Sequence, residues 1–306
     1  MDYQKILDEI ERDIVSVLGT GKVADYIPAL ACADPRAFAI AVIDNEGRRY
    51  SAGAAQAKFS IQSISKVFTL SLALGFEGGD LWRRVGREPS GTAFNSIVQL
   101  EKEQGVPRNP FINAGALVVT DAIMSNCASG SALKETLGFI NRAACVGSID
   151  ANAEVAESEK QWGDRNRSLA YFMKSFGILE NPVEDVLDAY FSQCSIEMSV
   201  EELACAGLYL ANDGTHPLTG EALSTHDRVN RVNAIMLTCG HYDRSGDFAF
   251  RVGLPGKSGV GGGILAIAPG ACSVAVWSPA LNEAGNSLAG AVALEMFSEK
   301  TGLNIF

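Results

Sequence analysis

Gly263-Ile264-Leu265-Ala266-Ile267-Ala268-Pro269-Gly270-Ala271-Cys272-Ser273-Val274-Ala275-Val276-Trp277 is a pair of apolar runs around a Pro-Gly turn. Short apolar runs joined this way read as a β-hairpin, and hairpins build antiparallel sheets. The front of the chain mirrors it. Ala37-Phe38-Ala39-Ile40-Ala41-Val42-Ile43 reads as a buried strand, Asp44-Asn45-Glu46-Gly47 as a turn, and Arg48-Arg49-Tyr50-Ser51-Ala52 as the partner strand. Helical periods lie outside both hairpins: residues 4 to 18 with Ile6, Leu7, Ile10, Ile14, Val17 and Leu18, and Ser287 to Lys300 with Leu288, Val292, Leu294, Met296 and Phe297. These helices are placed to cover one face of the sheet.

Between the hairpins, roughly residues 67 to 235, the pattern is almost wholly helical. The expected organisation is therefore an α/β domain formed by both chain ends, 1–66 and 236–306, with 67–235 inserted as a helical domain. The seam between them is a favoured place for a ligand cleft. The chain has 306 residues, 47% of them hydrophobic, enough for a substantial core. Its net charge of -11 argues against nucleic acid or an anionic membrane as partner. No segment offers the roughly 18 uninterrupted apolar residues that cross a bilayer. Acidic residues stand at the N-terminus where a signal peptide would be positive, so a cytoplasmic location is expected. Seven cysteines, odd in number and without C-x-x-C, read as reduced thiols.

Two strings at the seam carry chemistry. In Phe59-Ser60-Ile61-Gln62-Ser63-Ile64-Ser65-Lys66, Ser63 and Lys66 form S-x-x-K. On a helix that spacing puts both side chains on one face, where an amine can take a hydroxyl proton. The run that follows, Val67 to Leu74, is apolar enough to be buried. A lysine at its head loses hydration, which lowers its pKa and fits it to act as a base. In Gly256-Lys257-Ser258-Gly259-Val260-Gly261-Gly262-Gly263, small residues would let a strand lie close against a substrate. Each string has a second copy. Ser131-Ala132-Leu133-Lys134 precedes Glu135 and reads as solvated, and Lys300-Thr301-Gly302 closes the last helix. Plain alternatives remain for the first copies too: Ser63 as a helix cap, Lys66 as a structural lysine paired with a carboxylate, Lys257 as a loop lysine.

Ser63-x-x-Lys66 with Lys257-Ser258-Gly259 resembles the serine β-lactamase and penicillin-binding superfamily. Longer strings resemble one branch of it, the bacterial-type glutaminases: Gly21-Lys22-Val23-Ala24-Asp25-Tyr26-Ile27-Pro28, Phe59 to Lys66, Pro107-Arg108-Asn109-Pro110-Phe111-Ile112-Asn113-Ala114-Gly115-Ala116, Met173-Lys174-Ser175-Phe176-Gly177 and Arg251 through Gly263. The resemblance implies a β-lactamase-like fold and hydrolysis of L-glutamine to L-glutamate and ammonia. It implies Ser63 as nucleophile, Lys66 as base, Tyr242 as proton shuttle and a charged Lys257 holding the hydroxyl network. The backbone N–H groups of Ser63 and Val260 would form the oxyanion hole. Glu159 would take the substrate ammonium, while Asn113, Asn166 and Tyr190 would bind its carboxylate or amide. A homodimer or homotetramer is expected on the same ground. The chain lacks the S-x-N or Y-x-N middle motif of the β-lactamases, and tyrosines at 190 and 242 would serve instead.

Other signals are set aside. Gly19-Thr20-Gly21-Lys22 lacks the hydroxyl residue and upstream glycine of a phosphate loop, and G-x-S-x-G is absent. His216, His226 and His241 lie in one stretch, but their spacing, and that of Cys239-Gly240-His241, is wrong for usual zinc sites, so neither metal nor cofactor is expected. The alternatives to a glutaminase are a penicillin-recognising serine hydrolase or esterase and a non-catalytic amino-acid-binding protein.

Overall fold

In the computed structural model, which describes residues 1–90, 97–127 and 131–306, both hairpins lie in one five-stranded antiparallel sheet. Its strands are β1 (Ala39–Asp44), β2 (Arg49–Gly53), β5 (Gly256–Ser258), β6 (Gly263–Ala268) and β7 (Cys272–Trp277), in the order β2-β1-β7-β6-β5. The front of the chain joins the back where β1 pairs with β7, from Ala39 opposite Trp277 to Asp44 opposite Cys272. With helices on both faces this is the α/β, β-lactamase-like architecture expected from the sequence.

The central strands are apolar throughout because both faces are covered, which removes the alternation of a half-exposed sheet. On one face Ile40, Val42, Ile264, Ala266, Val274 and Val276 pack with Leu7 and Ile10 of the helix Tyr3–Asp13 and with Ala293, Leu294 and Phe297 of the helix Leu288–Thr301. On the other, Ala41, Ile43, Leu265, Ile267 and Ala275 join a larger core with the middle of the chain. The helix Val200–Ala211 lies directly on this second face. Gly207 permits the close approach: a Cβ there would stand 2.5 Å from Ser273 Oγ and 2.8 Å from Leu265 Cδ1.

The middle is not helical alone. β3 (Phe59–Ser60) pairs with β4 (Glu197–Met198), two residues each and too short to leave an alternating pattern. This small ribbon ties the segment before Ser63 to the helical side. Among the described residues no helix is long and apolar enough to cross a membrane.

Gly207→Val should overpack the helix–sheet contact and lower unfolding stability by about 1–3 kcal/mol. Gly75 is exposed in the helix Ser65–Glu77 with open space where a Cβ would stand. Gly75→Ala should therefore add up to about 1 kcal/mol. Urea midpoints of the two variants moving in the same direction would contradict this account of the packing.

Candidate active site

Ser63 sits in a single 3-10 turn, Gln62–Ile64, that runs into the helix Ser65–Glu77. The ribbon fixes its approach: the Ile61 N–H donates to the Ile196 carbonyl at 2.9 Å, and Ser60 Oγ to the Cys194 carbonyl at 2.9 Å. The residue before Ser63 carries strain. Gln62 has a φ of +50°, rare for a residue with a side chain.

The glycine-rich string lies against this turn. A Cβ on Gly259 would stand 2.5 Å from the Ile61 carbonyl oxygen, and one on Gly261 would stand 2.2 Å from that of Ser60. The missing side chains bring the backbone at Val260 up to the Ser63 turn. Among the described residues no backbone carbonyl accepts the Val260 N–H.

Ser63, Asn113, Glu159, Asn166, Tyr190, Tyr242 and Val260 all line one cavity of about 290 Å³. Its size is at the small end of ligand sites, which span roughly 300–1,000 Å³. The Tyr242 hydroxyl is buried beside the Ser63 side chain, which acts on its ionisation. Burial raises its pKa to about 12, and Ser63 opposes the rise. Tyr242, like Gln62, has a left-handed backbone, with φ +57°.

The two lysines stand behind the cavity wall. Lys66, 2% exposed, donates to Asn113 Oδ1 at 2.8 Å and to the Phe111 carbonyl at 3.4 Å. Burial lowers its pKa to about 8, although Cys194 and Glu159 pull it back up. Lys257 is fully buried, with its ammonium 4.8 Å from the centre of the Tyr242 ring and a hydrogen bond to the Ser258 carbonyl. Complete burial, and then the nearness of Lys66, drive its pKa well below the usual range. The charged Lys257 expected from the sequence is thus disfavoured in its own site.

Across the cavity, Asn113 Nδ2 donates to Asn166 Oδ1 at 3.0 Å. With Asn113 Oδ1 committed to Lys66, this sets both amide orientations and turns the Asn166 NH2 towards new acceptors. Glu159 is buried, and burial raises its pKa against the hydrogen bonds from Tyr26 and Gln62. The Tyr26 hydroxyl reaches Glu159 Oε1 at 2.7 Å. A buried carboxylate held this way is a ready acceptor for an ammonium.

The site thus assembles a hydroxyl, two amines of depressed basicity and a phenol beside a pocket with both acid and amide partners. Tyr26, Gln62, Trp162, Arg165 and Cys194 also line it, and sequence reasoning assigned them no role. Tyr26 and Gln62 fall inside strings that carried the family resemblance, the one signal that marked them. Asn109 is a turn residue: its Oδ1 accepts from the Phe111 and Ile112 N–H groups. The duplicate motifs are also local. Ser131 caps the helix Ala132–Ala144, and Gly302 closes the helix Leu288–Thr301.

A family model described as Glutaminase matches residues 21–306. A glutaminase of Rhizobium rhizogenes (strain K84) is 58% identical over 305 residues, covering 100% of this chain and 99% of the relative. A thermolabile glutaminase of Rhizobium etli (strain CFN 42) is 57% identical with the same coverage. A solved probable glutaminase of Bacillus subtilis superimposes with a TM-score of 0.90 at 35% identity, covering 99% of this chain and 97% of that one.

Gly261→Ala should push the 259–263 segment away from Ser60 and misplace Val260. A 1 Å displacement in a reacting geometry costs roughly 10²-fold, so turnover should fall by about that factor while the circular dichroism spectrum holds. Unchanged turnover would show that the close contact has no part in positioning.

Proposed function

The chain belongs to the glutaminase family, and from that premise we propose that it hydrolyses the side-chain amide of free L-glutamine through a serine acyl-enzyme. The observation that carries this reading is that Ser63 and Tyr242 line one pocket backed by two desolvated lysines.

Neutral Lys66 takes the Ser63 proton as Oγ attacks the amide carbon. A base works best with a pKa near the operating pH, which favours Lys66 over Tyr242 for this step. The backbone N–H groups of Ser63 and Val260 receive the oxyanion, an interaction that strengthens as charge develops. Tyr242, protonated in the resting site, gives its proton to the departing nitrogen, which leaves as ammonia. The phenolate then takes a proton from water as the water attacks the acyl group, and Lys66 returns its proton to the Ser63 oxygen as glutamate leaves.

At the other end, Glu159 accepts the substrate ammonium, and the Asn166 amide and Tyr190 hydroxyl donate to its carboxylate. Asn113 joins that grip to Lys66. A site built to pair both charged groups leaves its own polar atoms unpaired when either is missing, a large penalty.

Purified protein given glutamine should release ammonia and glutamate in equal amounts, and Ser63→Ala should lose about 10⁴-fold or more of the rate. Glutamine blocked at its amine should be turned over far more slowly than the free amino acid. Full ammonia release by Ser63→Ala would remove the acyl-enzyme reading.

The active form of Lys66 is the neutral one. Activity should accordingly rise with pH through a midpoint near 8, the pKa that burial imposes on this amine. A kcat/KM profile flat from about pH 6 to 9 would take Lys66 out of the base role.

A further inference from the structure

Away from the cavity, the helix Ala132–Ala144 ends at Cys145, whose backbone is left-handed with φ +56°. That conformation usually falls to glycine, so Cys145 is kept there at some cost. Its Sγ lies 3.6 Å from His216 Nδ1. Cys205, within the helix Val200–Ala211, places its Sγ 3.8 Å from His216 Nε2. The two sulfurs and a ring nitrogen all fall within 4.8 Å of one another. Cys205 and His216 are fully buried and Cys145 is exposed, so the cluster opens to solvent on one side.

We propose that Cys145, Cys205 and His216 form a site for a thiophilic divalent cation of the Zn2+ class, with water as fourth ligand from the exposed side. Tetrahedral zinc, with Zn–S about 2.3 Å and Zn–N about 2.0–2.1 Å, sets its ligand atoms about 3.5–3.8 Å apart. Both sulfurs already have those separations from a single nitrogen, His216 Nε2: 3.7 Å for Cys145 and 3.8 Å for Cys205. His216 Nε2 is also 3.2 Å from the Cys205 carbonyl oxygen. With Nε2 as the ligand, the metal takes the place of that hydrogen bond, and the Ala143 carbonyl, which also reaches the ring, is the remaining partner for the ring N–H. Burial keeps the imidazole neutral, as a ligand must be. Burial, and then the nearness of Cys145, raise the Cys205 pKa to about 12, and Arg49 Nη2, 3.7 Å from its Sγ, opposes the rise. Binding replaces two thiol protons with the cation and releases them to water. It would tie the end of one helix to the helix that lies on the sheet. Spacing alone hid the site, because its three ligands follow no zinc motif.

The test is a titration of metal-stripped full-length protein with Co2+, followed by Zn2+. One equivalent of Co2+ should give sulfur-to-cobalt charge transfer and tetrahedral visible bands, and Zn2+ should displace it and raise the Tm. Cys145→Ser should weaken Zn2+ binding at least tenfold and abolish the charge-transfer band, while Cys32→Ser, at another exposed cysteine, should change neither. The proposal is overturned by an absence of the bands, by bands unaltered in Cys145→Ser, or by a mass showing Cys145 and Cys205 joined as a disulfide.

Discussion

Two amines removed from water, close enough to disfavour each other's charge, set the terms for the rest of this molecule. Lys66 and Lys257 are 2% and 0% exposed, and each is driven away from its charged form. The fall of Lys66 from 10.5 to about 8 corresponds to about 3 kcal/mol against its charged form. A fully buried Leu, Ile or Phe returns about 1.5–3 kcal/mol, so one or two core side chains offset such a cost. This chain has many, on both faces of the sheet. A single-faced sheet of this size would leave less margin. The two-sided core and the reactive site are therefore one design.

The sheet was legible because its information is local. Each hairpin carries both strands and the turn within a few residues, and the flanking helices declare their period. The S-x-x-K string of Ser63 and Lys66 could be singled out for the same reason, since it lies within one short stretch of chain. Lys257 needed the far end of the chain, and only its string with glycine singled it out. The glycines of that string also accommodate the backbone at residues 60 and 61, a contact the string itself does not announce. Nothing in the sequence marked Glu159 or Asn166 before the resemblance. Their hydrogen-bond partners are side chains 133 and 53 residues away, Tyr26 and Asn113. Tertiary pairing of that kind leaves no periodic trace. The ribbon of β3 and β4 was missed because two residues per strand cannot show alternation.

The two left-handed residues at the site have a common explanation. Gln62 and Tyr242 each hold a φ that costs roughly 1–3 kcal/mol, against a net stability of about 5–15 kcal/mol for a typical domain. Both are restrained from more than one side. Gln62 Nε2 donates to Ser60 Oγ at 3.2 Å, and Gln62 Oε1 lies 3.3 Å from the Tyr26 hydroxyl that donates to Glu159. At the other position the His241 N–H donates to Ser245 Oγ at 3.0 Å, Asn286 Nδ2 donates to the His241 carbonyl at 3.3 Å, and the Lys257 ammonium backs the Tyr242 ring. These contacts on either side hold each backbone in its left-handed conformation. Rigidity at these two points, more than the identity of any single base, makes the arrangement of hydroxyl, phenol and amines reproducible from one molecule to the next.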